Sequence, residues 1–128
     1  MPQDRESGAN ANQYGRECGR KIMAAIGAKS TRPDSNECSL GNELLSIHCA
    51  RKNTDRVGVT YKALDKISAV LGAFEQEDGS YIVWRMARSD YEERMAGTRS
   101  RGASRGKVGM VKRSEFERHG TRIAIVNV

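Results

Sequence analysis

Aromatic side chains are scarce in this sequence: one Trp, two Phe and four Tyr in 128 residues, so a core must rest mainly on Ile, Val, Leu, Ala and Met. Long apolar runs are lacking too. No stretch approaches the roughly 18 apolar residues of a membrane helix. The opening MPQDRESGANANQ carries no apolar segment of a secretory signal. Cysteine is limited to Cys18, Cys38 and Cys49, an odd number with no CxxC spacing. That pattern argues against a disulfide scaffold, and its spacing is wrong for a structural zinc site, so no zinc is expected. The expectation is one cytoplasmic domain with no membrane association, large enough for a single core.

Acidic residues are missing from one place in particular. Residues 1–96 hold 14 Lys/Arg against 14 Asp/Glu, and residues 114–128 balance two against two. Between them, 97–113 carries Arg99, Arg101, Arg105, Lys107, Lys112 and Arg113 with no acid, so the whole excess of +6 sits there. Glycines and serines interleave these cations, which suits close approach to a polyanion; the bland reading is a solvated loop that aids solubility. All six are candidate nucleic-acid contacts.

The polar, Asn/Gly-rich residues 1–12 read as a flexible N-terminal tail, and 13–128 as a single α/β domain containing the basic loop 97–113. Tyr14, Cys18, Ile22 and Ile26 recur every four residues, one face of a helix that Gly27 stops. Residues 28–34 and 53–58 read as loops, and Thr60 caps a short helix to about Lys66. ISAVLGAF (67–74) fits either a continuation of that helix or a buried strand. Strand is preferred, because Asp78-Gly79 follows where a turn into SYIVWRM belongs, pairing Phe74 with Val83 and Ala73 with Trp84. Ser89-x-x-Glu92 and Ser114-x-x-Glu117 read as capping boxes of two short helices. VGMVK and Thr121 to Val128 read as strands. The expected order is α-ββ-α-ββ-α-β-α-β, a mixed sheet with flanking helices.

Chemistry is concentrated in SNECSLGNELLSIHCARK (35–52). A two-residue turn at Gly41-Asn42 sets Leu40 opposite Glu43, Cys38 opposite Leu45 and Glu37 opposite Ser46. Leu45, Ile47 and Cys49 then share an apolar face, while Glu37, Ser46, His48 and Lys52 gather on the other. His48 is either a hydrogen-bonded structural histidine or a base or donor with a near-neutral pKa. Glu17 is either a metal ligand or a surface partner of Lys21. Tyr61 or Tyr81, where exposed, would stack on a base.

An acid-bearing hairpin after a first helix, with Pro33-Asp34 at its entrance, resembles the restriction-endonuclease-like core of the PD-(D/E)xK nucleases over residues 13–86. The resemblance implies a Mg²⁺-dependent endonuclease with Glu17, Asp34 and Glu37 as metal ligands and Glu37, His48 and Lys52 as catalytic residues. It departs at Ser46-Ile47-His48, which stands where the family has an acid and a lysine two apart. Serine brings no carboxylate. Three functions follow: a Mg²⁺-dependent nuclease, a homodimer if it is to cut both strands; an inactive relative that binds nucleic acid, DNA ahead of RNA; and a protein-interaction module whose basic loop meets an acidic partner.

Overall fold

The four-residue recurrence of Tyr14, Cys18, Ile22 and Ile26 winds into helix α1 (Pro2–Ile26) in the computed structural model, which describes residues 2–32, 35–95 and 108–127, with 2–12 as backbone alone. The helix begins at Pro2, so it takes in residues that composition had assigned to a loose tail. Proline suits the first helical position, where no intrahelical N–H bond is lost. Gly27 ends α1 at φ +80°; its N–H bonds Ala24 O and that of Ala28 bonds Met23 O at 2.8 Å, the two closures of a left-handed cap.

After α1 come β1 (Lys29–Ser30), β2 (Glu37–Leu40), β3 (Glu43–Ala50), β4 (Arg56–Thr60), α2 (Tyr61–Leu64), β5 (Ala69–Glu75), β6 (Ser80–Ala87), α3 (Arg88–Arg94), β7 (Val108–Lys112), α4 (Arg113–His119) and β8 (Thr121–Asn127). The expected order is present with two strands added, β1 and β4, both in stretches read as loops. Six strands form one mixed sheet in the order β1-β2-β3-β5-β6-β8, parallel only between β3 and β5. The remaining pair, β4 and β7, makes a separate antiparallel ribbon.

The first hairpin has the register that the Gly41-Asn42 turn dictates: Leu40 pairs with Glu43, Cys38 with Leu45 and Glu37 with Ser46, and Gly41 has φ +62°. The second is one residue out. Ala73 pairs with Val83 and Phe74 with Ile82, because Gln76 pairs with Ser80 and the loop holds three residues ending in Gly79 at φ +86°. Neither capping box forms. Helices α3 and α4 start directly off the preceding strands, at Arg88 and Arg113, which puts Ser89 and Ser114 inside the first turn.

Both faces of the large sheet are covered. Cys18, Ile22 and Met23 of α1 pack on Leu45, Ile47, Leu71 and Val83, which is why those positions alternate. On the opposite face the ribbon and short helices bring Val59, Leu64, Val111, Tyr91 and Phe116 onto Val70, Phe74 and Met86. Full burial of each large side chain stabilises by about 1.5–3 kcal/mol. Gly72 is required by close approach: a Cβ there would meet the Phe116 ring at 3.0 Å. Ile123 and Ile125 on β8 stay exposed, while Val126 turns inward. No helix among the described residues is long and apolar enough to cross a membrane.

Candidate functional site

Because side chains alternate along β3, Ile47 sits under α1 while Ser46 and His48 face away from it. There they floor a cleft of about 360 Å³. One wall is Arg32, Ser35, Asn36 and Glu37 from β2 and the turn before it; the other is Gly58 and Thr60 of β4 with Lys62, Lys66 and Ile67 around α2. The sequence expectation that Ser46, His48 and Glu37 share one polar face holds in the structure.

Ser46 Oγ lies 2.5 Å from His48 Nε2, and Ser46 is almost wholly buried. Burial penalises an imidazolium, so the His48 pKa drops from 6.5 to about 4 and the ring is neutral at physiological pH. Glu37 is fixed from both sides: Thr31 Oγ1 donates to its Oε1 at 2.8 Å, and its N–H donates to Ser35 Oγ at 3.0 Å. Thr60 caps α2, accepting from Ala63 N–H at 3.1 Å.

The other expected site residues are dispersed. Glu17 is exposed on α1, takes a hydrogen bond from Gln13 Nε2 at 3.0 Å and does not line the cleft. Lys52 lies beyond the end of β3, where its backbone N–H reaches Glu75 Oε1, and it too is outside the cleft. Asp34 falls outside the described residues, as do Arg99, Arg101, Arg105 and Lys107. Lys112 is exposed at the end of β7 opposite Arg56, and Arg113 opens α4 with its N–H on Asp55 O at 2.6 Å. Tyr81 is not available to stack on a base: it is buried, its hydroxyl 2.5 Å from that of Tyr14, whose ring lies under the Arg51 guanidinium at 4.2 Å. Glu43, on the α1 face, is bound by Arg85 and by Ser68 Oγ, which hold its carboxyl below the usual range.

Three cleft residues were missed by sequence reasoning: Arg32, Lys62 and Lys66. Lys62 and Lys66 stand four apart just after a Thr cap, a spacing that puts both on one side of a helical turn, so a signal existed. Their setting is a shared recess. Arg56, Arg85, Arg88 and Arg94 all have carboxylate partners, whereas among the described residues Arg32, Lys62 and Lys66 form no ion pair.

That lining bears on the magnesium expectation. Among the described residues no three His, Cys, Asp or Glu side chains stand together to hold a metal. Among the described residues Glu37 is the one carboxylate lining the cleft, with three cations around it. Mg²⁺ demands several oxygen ligands, and of the expected set Asp34 lies outside the described residues while Glu17 does not line the cleft.

The route of the chain explains what surrounds the cleft. Segment 97–113 leaves α3 and returns as β7, whose first residue, Val108, pairs with Thr60 on the cleft rim. No protein-family model, curated protein or solved structure matches the chain.

Proposed function

We propose that this protein binds nucleic acid, DNA ahead of RNA, through segment 97–113 and the cleft beside it, on a core of restriction-endonuclease-like type. One observation carries the reading: the entire positive excess lies in an acid-free segment whose returning strand is anchored at Thr60, on the rim of a cation-lined cleft. Phosphate neutralisation by Lys and Arg supplies sequence-independent affinity, and its signature is salt dependence. Titration of labelled single- and double-stranded DNA and RNA at several salt concentrations tests it. Salt-independent binding, or none, rejects it.

A second reading, hydrolysis by a Mg²⁺-dependent endonuclease, is favoured by Glu37, Ser46 and His48 meeting in the cleft. It needs carboxylates beyond Glu37. Incubating supercoiled DNA with Mg²⁺ or Mn²⁺ against EDTA separates the two, since only a nuclease nicks the substrate.

A further inference from the structure

Four arginines, Arg56, Arg85, Arg88 and Arg94, have carboxylate partners among the described residues. Arg85 is held by Glu43, Arg88 lies 3.5 Å from Glu92, and Arg94 sits between Glu93 and Glu115. The cleft gathers three cations into one recess. Arg32, Lys62 and Lys66 line about 360 Å³ together, and the one acid among the described lining residues, Glu37, already accepts from Thr31. Three positive charges against one negative leave a formal surplus of two in a recess whose floor is the Ser46–His48 pair.

Size narrows the ligand further. The volume is at the lower end of the ~300–1,000 Å³ typical of small-molecule sites. It admits one phosphate with its sugar, not a duplex. Ser35, Asn36 and Thr60 add short polar side chains on the walls, of the kind that position a phosphate oxygen. The floor is uncharged, so nothing beneath the lysines repels an anion.

We propose that this cleft is a phosphate site: Arg32, Lys62 and Lys66 grip one backbone phosphate of a bound single strand, and Ser46 and His48 close the site from below. The inference rests on the nucleic-acid reading and assigns it a specific recess, separate from the contacts of segment 97–113. Both lysines are exposed, so truncating them leaves the fold intact.

The test uses the full chain, ¹⁵N-labelled, in a phosphate-free buffer, titrated first with inorganic phosphate and then with a short oligo(dT). Saturable shifts of the Ser46, His48 and Thr60 amides are expected from both. Lys62→Ala/Lys66→Ala removes them and weakens oligo(dT) binding by roughly tenfold at ~0.1 M salt, the worth of about one phosphate contact, with the salt slope falling by about 1. Arg32→Ala gives the same direction of change, and thermal melting confirms that each variant is folded. Oligo(dT) binding without shifts at the cleft, or undiminished in the double variant, overturns the phosphate site and leaves the wider reading standing. Cleft shifts with inorganic phosphate but no binding of any oligonucleotide overturn the assignment to a strand, and the wider reading with it.

Discussion

Val108 pairs with Thr60 across the β4–β7 ribbon, and that one pairing brings the point where segment 97–113 becomes β7 to the rim of the cleft. The ribbon is in turn pinned from beneath. Tyr91 of α3 is wholly buried, and its hydroxyl donates to Gly109 O at 2.7 Å, one residue past Val108. Loop entry, loop return and cleft wall are thus tied by a single side chain.

Tyr91→Phe keeps the ring against Phe116 but leaves a buried carbonyl without that donor. A destabilisation of about 1–2 kcal/mol is expected, read from the midpoint of denaturant unfolding at unchanged slope. Because the ribbon carries the returning segment, nucleic-acid affinity falls in the variant as well. A variant as stable as wild type contradicts the pinning role.

His48 gives a pH signature. Its folded pKa, about 4, lies below the ordinary 6.5 because the ring is buried. Between those values the unfolded chain binds a proton that the folded one refuses. Stability is therefore full above about pH 6.5 and falls as pH drops toward 4. His48→Gln flattens that part of the profile. Only two histidines exist, so NMR reads the group directly: one imidazole signal stays put between pH 7 and 5. Two signals that both move between pH 7 and 5 refute a neutral His48.

What could be read in advance follows the range of the determinants. The register of the first hairpin needs only Gly41, Asn42 and period-two alternation, all within a few residues, and from Leu40–Glu43 to Glu37–Ser46 it is as expected. The same local logic placed Leu45 and Ile47 in the core and Ser46 and His48 on the other side. The second hairpin slipped because Asp78-Gly79 fits a two- or a three-residue loop, and one residue of loop length decides every pair.

β4 was missed although Val57 and Val59 alternate within it; its partner β7 lies some fifty residues on, across the basic segment, and a five-residue strand shows no pairing by itself. With β4 unseen, the far wall of the cleft was unseen, and so were Lys62 and Lys66. Glu17 went to the candidate site by analogy with a motif, and Lys52 by carrying the alternation past the end of the strand. Helix α1 turns Glu17 away, and the chain leaves β3 before Lys52.

Glu37 opposes an incoming phosphate, being the one acid among the described residues that line the cationic cleft. Glu37→Gln is expected to tighten oligonucleotide binding by roughly threefold, the worth of one screened like-charge interaction. Excess EDTA leaves wild-type binding unchanged. Fluorescence anisotropy measures both. Binding that vanishes with EDTA, or with Glu37→Gln, would put a metal ion in the interface and favour the endonuclease reading.

The most direct measurement is the salt dependence of nucleic-acid affinity. If about four cations of segment 97–113 reach phosphates, log K falls against log salt with a slope near −3 to −4, roughly two decades between ~50 and ~200 mM. Replacing Arg99, Arg101, Arg105 and Lys107 by Ala flattens that slope and leaves the melting temperature unchanged, with little dependence on base sequence in either protein. A wild-type chain that shows no salt-dependent binding to DNA or RNA, or a fourfold variant that binds as tightly as wild type, contradicts the account.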